Sequence, residues 1–309
     1  MGLLDAIRGL FSSGAKPSAH AAGHLSVAEL ARRLGASESE LRFAPISYRR
    51  FDIPKRTGGY RTIFEPQEEL KRVQRLILRK LLKRLDAHAR AHGFERGRSI
   101  VTGALAHERK SVVVRMDVRD FFGSTKSARV RDYFARVGWD ADAAQLLTRL
   151  CTHEGSLPQG APTSPRLSNL VNFKLDARLD ALARRCGADY TRYADDMTFS
   201  FADGGHERPA SLIRAVKKIL REEGYEPHAR KKLQIRRRNQ RQLVSGLVVN
   251  ERVALPRSTR RRLRAIEHRA SQGRETTLTP AQLEGWRALR KMVERQRGGG
   301  SNPETPNTF

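Results

Sequence analysis

Apolar residues recur along this chain at two spacings, and the switches between them mark out its elements. In LSVAELARRLGASESELRF (25–43) they fall three and four apart on either side of Gly35, with Ser26 as a helix cap and Glu29 three positions on. Two short helices so arranged are either a helix-turn-helix or one helical layer of a larger fold, and the layer agrees better with the strands and helices beyond residue 47. YRRFDIPKRTGGYRTIFEP (48–66) predicts two strands joined by a turn at Thr57-Gly58-Gly59. Helical spacing with a strongly basic opposite face returns in EELKRVQRLILRKLLKRL (68–85). VVVRMDV (112–118) is a short buried strand ending in a carboxylate, and RLSNLVNFKLDARLDALARR (166–185) is one amphipathic helix. YTRYADDMTFSF (190–201) reads as a hairpin with Asp195-Asp196 at its turn, and SLIRAVKKILREEGY (211–225) as a helix stopped by Gly224. Strand-like KLQIRR and QLVSGLVVN come next, and from Pro256 the chain is helical to about Arg297. The order is thus small helical and hairpin elements, a mixed sheet with helices, and a terminal helical piece. SSGAKPSAHAAGH (12–24) and the tail from Gly298 are small, polar and without periodicity, which predicts a flexible leader and a disordered end.

Charge narrows the partner. Sixty Lys and Arg against thirty-three Asp and Glu leave +27 over 309 residues. An excess of that size favours a polyanion, because each neutralised phosphate releases condensed counterions. No apolar run approaches the roughly 18 residues that span a bilayer, so nucleic acid is expected and membrane is not. Between positions 230 and 264 thirteen basic residues face one acid, Glu251; such a stretch repels itself unless a polyanion neutralises it. Aromatic residues are scarce there, which favours recognition of backbone and shape over base stacking. Cys151 and Cys186 make neither a disulfide framework nor a four-ligand zinc site. The start, MGLLDAIRGLF, lacks the form of a signal peptide, and Ala6 stands where myristoylation wants Ser or Thr. A reducing cytoplasm is expected.

The chemistry gathers on carboxylates. Asp195 and Asp196 in a tight turn repel each other, a cost that a divalent cation relieves, and hard carboxylate oxygens suit magnesium. Asp117 ends an apolar strand, where an unpaired carboxylate is expensive. If the two strands lie side by side, the three acids meet at one edge and can hold two cations about 4 Å apart, the separation used for in-line phosphoryl transfer.

YADD (193–196), DVRDFF (117–122) and LPQGAPTSPRLSN (157–169) resemble the three central palm motifs of reverse transcriptases in sequence, order and separation. The similarity runs from about Leu25 to the terminal helices. IPKRTGGYRTIFEP, LKRVQRLILRKLL, AHGFERGRSI (91–100) and VSGLVVN (244–250) are most similar to retron-type bacterial enzymes. Two positions depart. Gly103 stands where the retron signature Asn-Ala-x-x-His has Asn, with Ala104 and His107 kept; Ser245 replaces Thr in Val-Thr-Gly and keeps its hydroxyl. The first bears on the subtype, not on the chemistry.

The resemblance implies an α+β right-hand polymerase with an RRM-like palm sheet. Its parts would be a leader (1–24), N-terminal helices and fingers (25–110), palm (111–250), helical thumb (251–297) and tail (298–309). It implies that Asp117, Asp195, Asp196 and the Val118 carbonyl bind two Mg2+ ions, with Mn2+ as a substitute. Lys55 and Arg61 would clamp the triphosphate, Arg by its bidentate fork. Asp120, Phe121 and Phe122 would line the nucleotide, with Phe122 under the sugar, selecting deoxynucleotides, and one of the two Phe residues in the core. Gln159 and Gly160 would pack under the incoming base and template, glycine allowing close backbone approach. Tyr193, Ala194, Arg260, Arg261 and Arg262 would meet primer and template. Lys232, or Lys231 beside it, would protonate the pyrophosphate. A retron enzyme would copy a structured noncoding RNA, priming from a guanosine 2′-hydroxyl to give a branched RNA–DNA product. It would act with a toxin or effector protein in phage defence. Two other readings stand beside this. One is another bacterial lineage: group II intron-like, CRISPR-linked or defence-associated, the chain leaving no room for an endonuclease or a large maturase domain. The other is a non-catalytic RNA-binding protein on the same fold.

Overall fold

The computed structural model describes residues 25–55, 58–204, 207–228 and 233–298. The expected leader, and the tail beyond Gly298, lie outside the described residues.

The first helices are α1 (Val27–Leu34) and α2 (Glu38–Phe43). Ser26 caps α1 by accepting from the Glu29 N–H, and Gly35 closes it at φ 64°. Their apolar residues enter a core shared with α3 (Glu68–Lys80), α6 (Ser127–Arg136), α7 (Ala141–Cys151) and α8 (Ser164–Val171). They are a helical layer and present no free recognition helix. Between them and α3, β1 (Tyr48–Pro54) and β2 (Tyr60–Pro66) pair antiparallel as an exposed hairpin.

The second core lies under a four-stranded sheet of order β4-β5-β3-β6, formed by β3 (Val112–Asp117), β4 (Ala188–Tyr193), β5 (Asp196–Phe201) and β6 (Gln234–Arg237). Its pairings are antiparallel throughout, not mixed. Helices α9 (Phe173–Arg185) and α10 (Glu207–Glu222) cover its inner face. Residues 166–185 are not one helix but the end of α8 and all of α9, broken at Asn172. The Asn172 amide donates to the Ser168 carbonyl (2.8 Å) and the Tyr225 hydroxyl (2.9 Å), so a buried side-chain bond sets the break.

QLVSGLVVN likewise folds as two pairs of residues, β7 (Leu243–Val244) and β8 (Leu247–Val248), around Ser245 and Gly246. Both turn residues have positive φ, 47° and 84°, as a two-residue hairpin of the right-twisted kind needs. These strands join α4 (Ile100–Leu105), α11 (Arg257–Ser271) and α12 (Pro280–Gly298) in the third core. The Ser99 hydroxyl before α4 donates to Gln296 on α12 (2.6 Å), tying the last helix back to the middle of the chain. No described helix is long and apolar enough to cross a membrane.

Candidate active site

Val112, Val113, Val114 and Met116 anchor β3 in the interior, so Asp117 emerges at its end with a fixed direction. In the antiparallel register Asp117 lies directly opposite Asp196. Tyr193 pairs with Asp196 across β4 and β5, leaving Ala194 and Asp195 as the whole connection. Ala194 sits at φ 55°, a left-handed conformation that costs an alanine roughly 1–2 kcal/mol. The Val118 N–H donates to the Asp195 carbonyl (3.1 Å), stitching the end of β3 to this turn, and the Asp117 carbonyl accepts from the His228 N–H (2.7 Å). The three acids, all half-buried, therefore meet at one sheet edge.

Arg115, two residues before Asp117 on the same strand face, places its guanidinium on the Asp196 carboxylate, with Nε 3.4 Å from Oδ1 and Nη2 on Oδ2. Among the described residues no three His, Cys, Asp or Glu side chains are gathered into a ready chelate. The donor set itself fits a hard divalent cation: three carboxylates, with Val118 next along the chain, at an edge where a positive charge already sits on one of them. Holding an ion there requires Asp196 to share or leave Arg115.

The side expected to meet the nucleotide is assembled by loops. The Phe64 N–H on β2 donates to the Gln159 carbonyl (2.8 Å), docking the hairpin on the LPQG loop. Gly160, at φ 126°, lies so close to β2 that a Cβ would stand 2.7 Å from the Ile63 Cγ2 and 2.8 Å from the Phe64 oxygen. Lys55 and Arg61 are exposed near the hairpin tip, where Gly58 and Gly59 turn the chain at φ 87° and 76°. Phe121, 4% exposed at the start of the short α5 (Phe121–Ser124), packs on Tyr225 with ring centres 5.7 Å apart, so it is core and unavailable to a nucleotide. Phe122 is half-buried, its ring 6.4 Å from Phe94, which in turn lies 6.0 Å from Tyr193. Asp120, exposed and at φ 44°, folds its carboxylate over Gly123, where any Cβ would clash with it. Arg260, Arg261 and Arg262 are exposed on α11, away from the sheet core. Lys231 and Lys232 lie outside the described residues.

Several residues escaped the sequence reading. Phe94, 44% exposed, completes an aromatic rim with Phe122 and Tyr193. Arg192 and Asp176 form an ion pair with both side chains fully buried beneath the acidic turn. Asp176 sits on the apolar face of α9 beside Leu175 and Leu179, and a carboxylate at a core position was the available signal. His107, by contrast, is a kept signature residue of the sequence reading; it is buried with its ring nitrogens 2.7 Å from the Ser200 and Thr191 hydroxyls, bridging β5 and β4 from behind. Desolvation pushes its pKa down to about 3, so it is neutral at ordinary pH. Gly103 meets the His92 ring, which a Cβ would approach to 3.3 Å, so any side chain at 103 would press on His92. The departure at 103 thus has a local steric partner.

A family model described as reverse transcriptase (RNA-dependent DNA polymerase) matches residues 53–245. The retron Mx162 reverse transcriptase of Myxococcus xanthus is 37% identical over 88% of this chain and 65% of its own length. The retron Mx65 enzyme of the same organism is 38% identical over 86% of this chain and 67% of its own. The retron Ec86 enzyme of Escherichia coli is 33% identical over 79% and 75%. The chain spans about two thirds of the length of the two Myxococcus relatives. With its three acids at one edge of an antiparallel sheet and this similarity along most of its length, the chain belongs to the reverse transcriptase family, among the retron enzymes.

Proposed function

We propose that this protein is an RNA-directed DNA polymerase of retron type, copying a structured noncoding RNA into DNA. The observation that carries the reading is the register that sets Asp117 opposite Asp196 with Asp195 beside it. In this reading residues 25–110 are N-terminal helices and fingers, 111–250 the palm and 251–297 the thumb. Asp117, Asp195, Asp196 and the Val118 carbonyl hold two Mg2+ ions, with Mn2+ as substitute. When bound, the ions lower the pKa of the primer hydroxyl and neutralise the leaving pyrophosphate.

The remaining work falls to the chain's own groups. Lys55 and Arg61 reach the triphosphate from the hairpin, and Gln159 and Gly160 hold that hairpin and the incoming base. Asp120 lies at the nucleotide's edge. Phe122 closes the space beside the sugar, excluding a 2′-hydroxyl, and Phe121 supports it from the core. Tyr193 and Ala194 lie against the primer end. Lys232 supplies a proton to the pyrophosphate. Arg260, Arg261 and Arg262 grip template RNA or the RNA–DNA hybrid through backbone phosphates. A branched RNA–DNA product, an effector protein and a defence role complete the retron reading, in a cytoplasm where Cys151 and Cys186 stay thiols.

The test is deoxynucleotide incorporation on an RNA template by the parent, Asp195→Asn and Asp196→Asn proteins. Both variants are expected to lose incorporation and keep RNA affinity; continued synthesis by either would overturn the metal assignment. Nucleic acid co-purified from the native host, digested separately with RNase and DNase, separates retron from other lineages. A short DNA joined to one defined RNA supports the retron product; RNA alone points elsewhere.

A further inference from the structure

The turn that carries Asp195 and Asp196 is costly to hold, since Ala194 is left-handed and adjacent carboxylates repel. What holds it lies beneath. The Arg192 guanidinium spends Nε and Nη2 on the two oxygens of Asp176 (2.7 and 2.6 Å) and Nη1 on the Ala194 carbonyl (3.0 Å). Its face covers the Phe121 ring, with the guanidinium carbon 5.4 Å from the ring centre. The Tyr190 hydroxyl donates to Asp176 as well (2.8 Å). The Arg192 backbone is tied to residues 90–92 by both its groups, donating to the Arg90 carbonyl and accepting from the His92 N–H (both 2.8 Å). Gly93 allows this close approach, because a Cβ there would stand 3.0 Å from the Ala194 nitrogen.

A fully buried ion pair is a poor way to gain stability, since well-packed apolar residues of like volume often do as well or better. This pair does something those residues cannot. One rigid fork links the strained turn to α9 and to the ring beside Phe122. We infer that Arg192, held by Asp176, is a positioning residue that sets the Asp195–Asp196 turn against Asp117 and steadies the Phe121–Phe122 step. Lysine could keep the charge on Asp176, but a point charge cannot reproduce the fixed three-way fork. The inference rests on the polymerase reading of the acids.

The decisive protein is the triple variant Arg192→Met, Asp176→Leu, Tyr190→Phe, which removes the pair and its hydroxyl together and leaves no orphaned charge. It is expected to fold, to bind an RNA hairpin probe as the parent does, and to lose about 100-fold in kcat, the scale for roughly 1 Å misplacement of reacting groups. Its KM for deoxynucleotide should change less than threefold. Ribonucleotide incorporation relative to deoxynucleotide should rise, because Phe122 loses its support. Mg2+ titration followed by thermal shift should need at least threefold more metal, a readout that requires no turnover. Arg192→Lys should show the same pattern, and it decides the matter if the triple variant does not fold. A purely structural role predicts a lower Tm with kcat per folded molecule, sugar selection and Mg2+ midpoint within twofold of the parent; that result overturns the inference. Should the parent itself make no DNA, the polymerase reading fails, while the Mg2+ midpoints of Arg192→Lys and parent still test the positioning.

Discussion

Gly160→Ala is the sharpest perturbation of the proposed nucleotide side, because one methyl group strikes the backbone of β2. At φ 126° an L residue is strained by about 1–3 kcal/mol. The new Cβ would also stand 2.7 Å from the Ile63 Cγ2 and 2.8 Å from the Phe64 carbonyl oxygen. The Ile63 methyl can turn aside. The carbonyl cannot, because Phe64 is paired with Arg50 in the hairpin and its N–H is bonded to Gln159. The hairpin must therefore lift, which forfeits the Phe64–Gln159 bond, worth about 0.5–1.5 kcal/mol. The sum, roughly 1.5–4.5 kcal/mol, falls on hairpin docking and not on the sheet, so the carboxylates should stay in place. The expected outcome is a rise of about 10-fold or more in deoxynucleotide KM, part of that energy relaxing into loop movement, with a smaller fall in kcat. Gly155→Ala is the control: φ is 73° and nothing lies within 4 Å of its Cβ, so it carries strain without a clash. Steady-state extension of a DNA primer on homopolymer RNA measures both. A Gly160→Ala protein with KM within twofold of the parent, or no worse than Gly155→Ala, refutes the reasoning.

Arg115→Gln removes the Arg115 charge from Asp196 and so increases repulsion among the acids, and Mg2+ should raise the variant's Tm more than the parent's; an equal shift would show that Arg115 does not offset that repulsion. Phe122→Ala should admit ribonucleotides, and unchanged sugar selection would move the gate to another residue, with Phe94 the nearest aromatic candidate. His107 has a folded pKa pushed down to about 3, below the ordinary histidine value of 6.5, so the unfolded chain binds the extra proton between these pH values. Stability is therefore full above pH 6.5 and declines as pH falls toward 3, and His92, lowered to about 4 by desolvation, adds to the same limb. Urea midpoints between pH 6.5 and 5, above most carboxylate titration, should fall less steeply in His107→Gln, which can still bond Ser200 and Thr191; equal slopes would mean that His107 is not the group responsible.

Part of this protein was legible before any fold was known. Alternation and helical spacing marked β1 to β5, α1 to α3 and the helices from α8 onward, because each buries one face and the side-chain period reports which, while α4, α6 and α7 went unread. The acids stood out because carboxylates at the end of an apolar strand and in a tight turn are costly without a partner. Local pattern could not show the break at Asn172 or the antiparallel order of the sheet, since both are set by partners distant in sequence; the tiny hairpin at Ser245-Gly246 is local, but its turn is hidden inside an apolar run that reads as one strand. Asn172, for instance, answers to Tyr225. Phe121 and Phe122 are indistinguishable as letters; only packing sends the first to Tyr225 and leaves the second at the rim. Arg192 and Asp176 looked like two more charges on a highly charged chain. Sixteen residues separate them, and only the docking of α9 under β4 excludes water around both. Residue type and local period were enough to single out the candidate acids and the segments that carry them, because both are properties of short stretches of chain. The tertiary structure alone decided which of those residues meet, because register, burial and the support beneath the acidic turn are properties of contacts between segments far apart in the chain.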